Sequence, residues 1–312
     1  MNQWITFNSK WGKALLLAAV IAVGSGVSGV GVSDVSAASP SVSKAVYKQF
    51  QKYVNKPSSL IQARKYLINH IAEAGVWDAS LMTLQLENAQ QAEYSLISEK
   101  IYPDNVQNAI QAADIKKGLT YTGLLSVIKD EKIRRVLIES RDKGYKIEAS
   151  EGMYYPVIYY EGFKVFKPYI NKDIAAYIDI MAAESNHPAT YDAGITIPWE
   201  ELISRAAIMA DFADNYPGSN RIAVIRQELG YAVYRVFYGA ENTPAYDFES
   251  NTLYPEVRKA YDDVLLDGTG NNKVLVILEQ LLPMLDATGN KLTPEIEAFL
   301  KTALKALSAS TL

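Results

Sequence analysis

The fold of this chain is decided by residues 196–239, TIPWEELISRAAIMADFADNYPGSNRIAVIRQELGYAVYRVFYG. Apolar residues recur every three to four positions on both sides of a Tyr216-Pro217-Gly218 break, which is the spacing of two amphipathic helices. Because the break is short, the helices should pack as antiparallel neighbours, and Gly239 should end the second one. The predicted apolar stripes are Trp199, Leu202, Ala206, Met209 and Ala213 in the first helix and Ile222, Ile225, Leu229, Val233 and Val236 in the second.

Similar spacing continues through most of the chain and predicts an all-α fold, a stack of antiparallel helical hairpins. The exception is one short extended Tyr-rich segment, residues 145–162. Tyr145, Ile147 and Ala149 alternate with polar residues, and two glycines and a proline follow, which argues against a continuous helix.

A helix is also predicted to start at Asp78, with Asp78 as its N-cap. The spacing of its apolar side chains predicts that Leu81, Leu84, Ala92 and Leu96 face the core, with Ile97 as a further candidate.

The first residues have the pattern of a secretory signal peptide. Lys10 and Lys13 precede an uncharged apolar run at 14–23, and small residues lead to a cleavage site after Ala37 or Ala38. A membrane anchor is the alternative, but the run is only about half of the roughly 20 residues that a spanning helix needs. We therefore expect an extracellular or cell-wall-associated protein with no stable membrane insertion after cleavage.

Three regions follow from these patterns. Residues 1–37 are the signal peptide, 38–144 an N-terminal helical bundle, and 145–312 a C-terminal helical-hairpin region. A single continuous domain spanning 38–312 is the alternative.

Composition excludes several kinds of chemistry. The chain has no cysteine, which excludes disulfides, thiol catalysis and thiolate metal sites. The net charge of −4 becomes −5 without residues 1–37, which carry two lysines and one aspartate. A mildly acidic exported protein is a poor candidate for binding nucleic acid. No cofactor motif is found, and the two histidines, His70 and His187, fit a structural or surface position and a loop cap; a metal-ligand or base role is the alternative for His187.

The centre of the hairpin resembles the junction between two tetratricopeptide units, although that repeat's usual Trp, Leu-Gly and Tyr positions are not in register. The residues that carry this resemblance are Ala206, Ala207, Phe212, Tyr216, Pro217 and Ser219. The order of features along the chain resembles that of uncharacterised secreted helical proteins of Gram-positive spore-formers. These features are an export signal, helices, a Glu-Gly-Met-Tyr-Tyr-Pro segment and a Tyr-Pro-Gly-Ser turn. That resemblance implies no activity.

Binding is the favoured function, through a groove between the Tyr-rich segment and the hairpin. Its candidate residues are Tyr154, Tyr155, Tyr159, Tyr160 and Trp199, since tyrosine offers a flat apolar face and a polar tip. This hypothesis describes an exported, non-catalytic binding or scaffold module whose partner is a protein or wall glycan. The competing interpretation is that the tyrosines pack between the two helical halves, as in a purely structural secreted protein.

The enzyme alternative is a carboxylate-dependent hydrolase of cell-wall or other polysaccharide. Sugar hydrolysis needs two carboxyl groups across one bond. The weak catalytic candidates are Glu151, Glu161, Asp179, Glu184 and Glu200, and most exposed helical acids only solvate the surface.

Overall fold

The computed structural model describes the backbone of residues 39–309 and the side chains of residues 39–307. The predicted signal peptide and its cleavage site lie outside these residues. The described chain is mainly helical, which confirms the predicted all-α class. Its α-helices are α1 (Pro40–Val54), α2 (Leu60–His70), α3 (Val76–Ile101), α4 (Asp104–Lys117), α5 (Tyr121–Val127), α6 (Glu131–Lys143), α7 (Lys172–Asn186), α8 (Trp199–Asn215), α9 (Ile222–Tyr238), α10 (Pro255–Val264), α11 (Lys273–Thr288) and α12 (Pro294–Ala309).

Short antiparallel hairpins and 3₁₀ turns connect the helices. The strand pairs are β1 (Tyr145–Ser150) with β2 (Met153–Ile158), β3 (Thr190–Tyr191) with β4 (Gly194–Ile195), and β5 (Gly239–Ala240) with β6 (Thr243–Pro244). The 3₁₀ segments are Pro57–Ser59, Ile71–Glu73 and Tyr160–Tyr169. The Tyr-rich segment predicted to be extended at 145–162 is extended as the β1–β2 hairpin, whereas its last residues, from Tyr160 onward, begin a 3₁₀ segment.

The predicted hairpin at 196–239 is present as α8 and α9, which pack against each other. Pro198 is the N-cap of α8, and Gly239 ends α9 with a φ of 82°. A Cβ at Gly239 would lie 2.4 Å from the backbone nitrogen of Ala245, so only glycine fits this close approach. The buried members of the two predicted stripes are Leu202, Ala206, Met209, Ile225, Leu229, Val233 and Val236, whereas Trp199, Ala213 and Ile222 are half-buried.

The predicted N-cap of α3 is wrong. The helix begins at Val76 with Gly75 as its N-cap, so Asp78 lies in the first helical turn. The Asp78 carboxylate instead accepts a 2.5 Å hydrogen bond from the hydroxyl of Ser43 in α1. Ser43 also accepts the backbone N–H of Gly75 at 2.8 Å, so one serine ties the starts of α1 and α3 together.

The predicted buried face of α3 is also partly wrong, because Ala92 and Leu96 are exposed. The face that packs inward carries Glu87, Gln90 and Glu93, all at least nine-tenths buried. Burying a polar group is costly unless partners satisfy it, and the partners of these three side chains come from distant parts of the chain. Among the described residues, the Oε1 of Gln90 has no hydrogen-bond partner. Local apolar spacing contains no information about those partners.

Glu87 forms the centre of the buried contacts around α3. Its Oε2 accepts hydrogen bonds of 3.0 and 2.7 Å from Nε and an Nη of Arg221, at the start of α9. Its Oε1 accepts the hydroxyl of Tyr160 at 2.6 Å and the hydroxyl of Tyr177 in α7. Arg221 also lies over the Tyr177 ring, 5.6 Å from its centroid, and donates to Asn88 Oδ1 at 2.8 Å.

This Glu87 network joins the two predicted regions of the chain. Burial raises the pKa of both tyrosine hydroxyls, and the Glu87 carboxylate raises it further, so both stay protonated and act as donors. Burial alone would lower the pKa of Arg221, but the adjacent Glu87 carboxylate raises it. The surrounding hydrophobic core is continuous and includes Phe50 and Leu86 before residue 145 and Ile203 and Leu278 after it.

Breaking the Glu87–Arg221 pair should destabilise the protein strongly. Arg221→Met leaves a buried carboxylate without its cation, and we expect it to lower the free energy of unfolding by roughly 3–5 kcal/mol. Urea denaturation at neutral pH measures the change. The double variant Glu87→Gln/Arg221→Met leaves no buried charge and should recover most of the loss; additive losses in the double variant would contradict the coupling.

Candidate functional site

The β1–β2 register separates the predicted binding tyrosines into two groups. Ala149 pairs with Tyr154, and Glu148 pairs with Tyr155. Residues directly opposite in an antiparallel pair share a face, and successive residues alternate between faces. Tyr154 therefore points into the core, and Tyr155 points outward beside Glu148.

Tyr154 and Tyr160 are buried and have partners inside the protein. The Tyr154 hydroxyl donates to Asp114 Oδ2 at 3.1 Å, and its backbone N–H donates to Gln107 Oε1 at 2.8 Å, which attaches the β1–β2 hairpin to α4. Tyr160 belongs to the Glu87 network. These two side chains hold the Tyr-rich segment against the helices.

Tyr155 contributes to an exposed aromatic surface that we call the tyrosine surface, made of Tyr94, Tyr155 and Tyr191. Tyr94 is 37% exposed, Tyr191 is 47% exposed, and Tyr155 is half-buried beside them. Helix α3, which carries Tyr94, packs against β2, which carries Tyr155. Burial raises the pKa of Tyr155, and the charges of Glu148, Tyr94 and Tyr191 raise it further. The Tyr191 hydroxyl accepts the backbone N–H of Glu151 at 3.1 Å, which joins the β3–β4 hairpin to the tip of β1–β2.

Tyr159 and Trp199 lie in different surroundings. Tyr159 is 40% exposed, and its ring packs over Gly162, where a Cβ would lie only 3.0 Å from the ring. Trp199 is half-buried against the core at the start of α8. Tyr155 and Tyr159 are therefore the accessible tyrosines among those predicted from the segment.

Most of the candidate carboxylates form local ion pairs or face solvent. Glu161 is paired with Lys164 at 2.8 Å, and Asp179 lies 2.5 Å from the amino group of Lys167. Glu151 is exposed at the hairpin tip with a φ of 50°. These contacts are typical of surface charges.

Glu200 and Glu184 are less exposed. Glu200 is half-buried in the first turn of α8. Glu184 lies 3.2 Å from Arg205, which also contacts Glu201 at 2.5 Å and donates to the His187 carbonyl at 2.7 Å. Arg205 thus holds the end of α7 against α8.

Glu184 has a carboxylate neighbour that the sequence patterns did not indicate. Burial raises the pKa of Glu228 in α9, and the charge of Glu184 raises it further. Burial also raises the pKa of Glu184, although Arg205 counteracts this. Within the described part of the chain, Glu228 forms no hydrogen bond or ion pair. Two half-buried carboxyl groups with raised pKa values, one of which the charge of the other raises, resemble the acid–base pairs of some active sites.

The histidines have structural contacts. His70 Nδ1 lies 2.8 Å from Glu73 Oε1, and the ring stacks on Tyr66 with centroids 4.3 Å apart. His187 is the C-cap of α7. Between residues 39 and 309, no group of three or more His, Cys, Asp or Glu side chains is arranged to hold a metal ion.

Sequence reasoning missed several exposed aromatic residues. Tyr231 and Tyr234 on α9 are 51% and 58% exposed, and Trp77 at the start of α3 is 66% exposed. A helical-wheel projection of α9 could have found its two tyrosines, because they lie opposite the apolar stripe. No local pattern marked Trp77, whose surroundings come from three separate elements.

Comparison with known proteins gives no relative from which a function could be transferred: no family model, curated protein or solved structure matches the chain. None of the described helices is both long enough and apolar enough to cross a membrane.

Glu228→Gln should stabilise the protein at neutral pH. A carboxyl group whose pKa is raised by folding costs stability as the pH rises from its ordinary value of 4.5 through its raised value, because the folded state binds the proton more tightly. Removing the charge removes this cost. We expect a higher Tm than wild type at pH 7 and nearly equal Tm values near pH 4, measured by calorimetry.

The exposed residue Glu279 provides the matched control, because Glu279→Gln makes the same chemical change on the surface. Its Tm should stay close to that of wild type at both pH values. A lower Tm for Glu228→Gln at pH 7 would show that the Glu228 charge is favourable in the fold.

Proposed function

We propose that this protein is an exported, non-catalytic binding module that acts at the cell surface or outside the cell through its tyrosine surface. The observation that carries the proposal is that the exposed Tyr94 and Tyr191 and the half-buried Tyr155 come from three elements that meet at the β1–β2 hairpin, since α3 packs against β2 and the Tyr191 hydroxyl contacts the hairpin tip. A globular protein gains nothing in stability from exposing several aromatic rings together, and such patches are characteristic of binding sites.

The chemistry of this surface favours a protein partner over a glycan. Tyrosine is enriched at protein–protein interfaces, because its ring gives a large contact area with few rotatable bonds and its hydroxyl tolerates water. Met153, 46% exposed at the start of β2, adds an adaptable apolar side chain on the outward face of the hairpin. Wall glycan is the second partner that the test includes.

The hydrolase alternative is supported by Glu184 and Glu228. Their raised pKa values fit a general acid paired with a second carboxylate. Release of reducing sugars from purified wall glycan, abolished in Glu228→Gln, would support this alternative. Equal release by wild type and Glu228→Gln would exclude a catalytic role for Glu228.

Tyr155→Ala should weaken binding to cell-surface material without unfolding the protein. Tyr155 is the member of the tyrosine surface that lies on the β1–β2 hairpin, between the elements that carry Tyr94 and Tyr191. Truncation of a hot-spot tyrosine costs about 2 kcal/mol or more, roughly a 30-fold loss of affinity. Binding is measured by pull-down with cell-surface protein extract and, separately, with protein-free wall glycan. Tyr159→Ala should reduce binding less, because Tyr159 lies outside the tyrosine surface.

The control for this experiment is Tyr234→Ala, which removes a tyrosine that is 58% exposed, more than Tyr155, from α9. Circular dichroism should be unchanged for all three variants. Unchanged pull-down by Tyr155→Ala with a normal spectrum would remove the proposal, and retention on protein-free glycan alone would assign the partner to the wall polymer.

Export predicts a specific new N-terminus. When the full chain is produced in a Gram-positive host, the protein in the medium or wall fraction should begin at Ala38 or Ser39, corresponding to cleavage after Ala37 or Ala38. Intact-mass measurement distinguishes the two. Recovery of the uncleaved chain in the membrane fraction would contradict the signal-peptide interpretation.

A further inference from the structure

Three parts of the fold enclose a small cavity on the side of α3 where that helix begins. Its volume is about 130 Å³. For comparison, an engineered, enclosed cavity of about 150 Å³ holds one benzene ring, so this open cavity suits one six-membered ring whose outer substituents remain in solvent. Its main lining residues are Trp77, Leu81 and Leu84 from α3, Asn171 and Asp173 from the start of α7, and Asn220 from the α8–α9 turn.

The walls of this Trp77 cavity are held by buried polar contacts. The Ser80 hydroxyl accepts the backbone N–H of Asn171 at 2.8 Å, which fixes the start of α7 to α3. Arg221 fixes the α8–α9 turn to the same helix through Glu87. The cavity is therefore preorganised by the core and does not depend on a loose surface loop.

The lining combines one exposed aromatic side chain, Trp77, with polar side chains that are available to bind a ligand. Trp77 is 66% exposed, which is unusual for tryptophan, since it is highly buried on average. Among the described residues, none forms a hydrogen bond with the side chain of Asn171, Asp173 or Asn220. The two amides can each donate and accept, and the carboxylate accepts.

We propose that the Trp77 cavity binds one pyranose ring of an uncharged sugar. A pyranose carries weakly positive C–H groups on its flat face and hydroxyl groups around its rim. The C–H face suits the electron-rich face of an indole, and the hydroxyl groups suit side-chain amides and a carboxylate. The lining from the described residues includes no Lys or Arg, and Asp173 adds a negative charge, so an anionic ligand is disfavoured.

This site is separate from the tyrosine surface and gives the protein a second, sugar-directed contact. The size of the cavity limits recognition to one ring, such as an end unit of a glycan. Because one ring buries little surface, we expect weak binding, on the order of 1 mM. A protein that holds a protein partner on one face and a sugar on another would be retained at a glycan-covered surface.

Fluorine NMR of the fluorotryptophan-labelled full chain tests this proposal. The chain has four tryptophans, and the resonance lost in Trp77→Phe identifies Trp77. Titration with glucose or N-acetylglucosamine should shift that resonance saturably and leave the Trp199 resonance unchanged. Asn220→Ala should weaken the binding by roughly threefold to tenfold, as expected for one lost hydrogen bond.

Several results would overturn the proposal. The first is the absence of a saturable shift with both sugars, and the second is an unchanged titration in Asn220→Ala. The third is a stronger response to choline that Asp173→Asn abolishes. Choline is a cation, and it would bind through Trp77 and Asp173 instead. Tyr155→Ala should titrate with sugar as wild type does. Failure of the sugar site and failure of the tyrosine surface can therefore be distinguished.

Discussion

The ion pair between Glu87 and Arg221 is the contact on which the arrangement of this fold depends. The two residues are separated by 134 positions in the chain, and both are almost completely buried. A buried carboxylate is costly unless every oxygen is satisfied, and here the guanidinium and two tyrosine hydroxyls occupy both oxygens. The pair therefore requires α3, α7, the 3₁₀ segment and the α8–α9 turn to meet in one register.

This register also creates the two surfaces to which we assign binding. Tyr160 enters the Glu87 network directly after β2, and Gln107 and Asp114 hold Tyr154 from the other side. With those two tyrosines anchored, strand alternation leaves Tyr155 on the outward face of the hairpin. The same pair holds the α8–α9 turn near Trp77 and completes the wall of the cavity. The buried polar network thus links the core to both candidate sites.

Much of the local structure could be predicted from the sequence. The α8–α9 hairpin, the Asp130 cap of α6, the left-handed Gly144 that ends it, and the extended segment after it all follow from short-range chemistry. Asp130, for example, accepts the backbone N–H groups of Lys132 and Ile133 at 2.8 and 3.1 Å. A cap of this kind depends only on residues within three positions, because the acidic side chain bonds the free N–H groups of the first helical turn. The candidate site was predicted less completely. The Tyr-rich segment was identified, but Tyr94, Tyr191 and Trp77 were not, because they are distant in sequence and ordinary in local context.

The sequence by itself determined where most helices begin and end, with the start of α3 as an exception, where the chain turns, and where a strand interrupts the helices. These features depend on neighbours within a few positions: the apolar period, the caps, and the conformations that glycine and proline allow. Only the tertiary structure decided which acids and tyrosines are inside. In α3 the polar Glu87 is buried, whereas the apolar Leu96 is exposed. Burial depends on the partner that the fold brings to each position, and for Glu87 that partner is Arg221, far away in the chain.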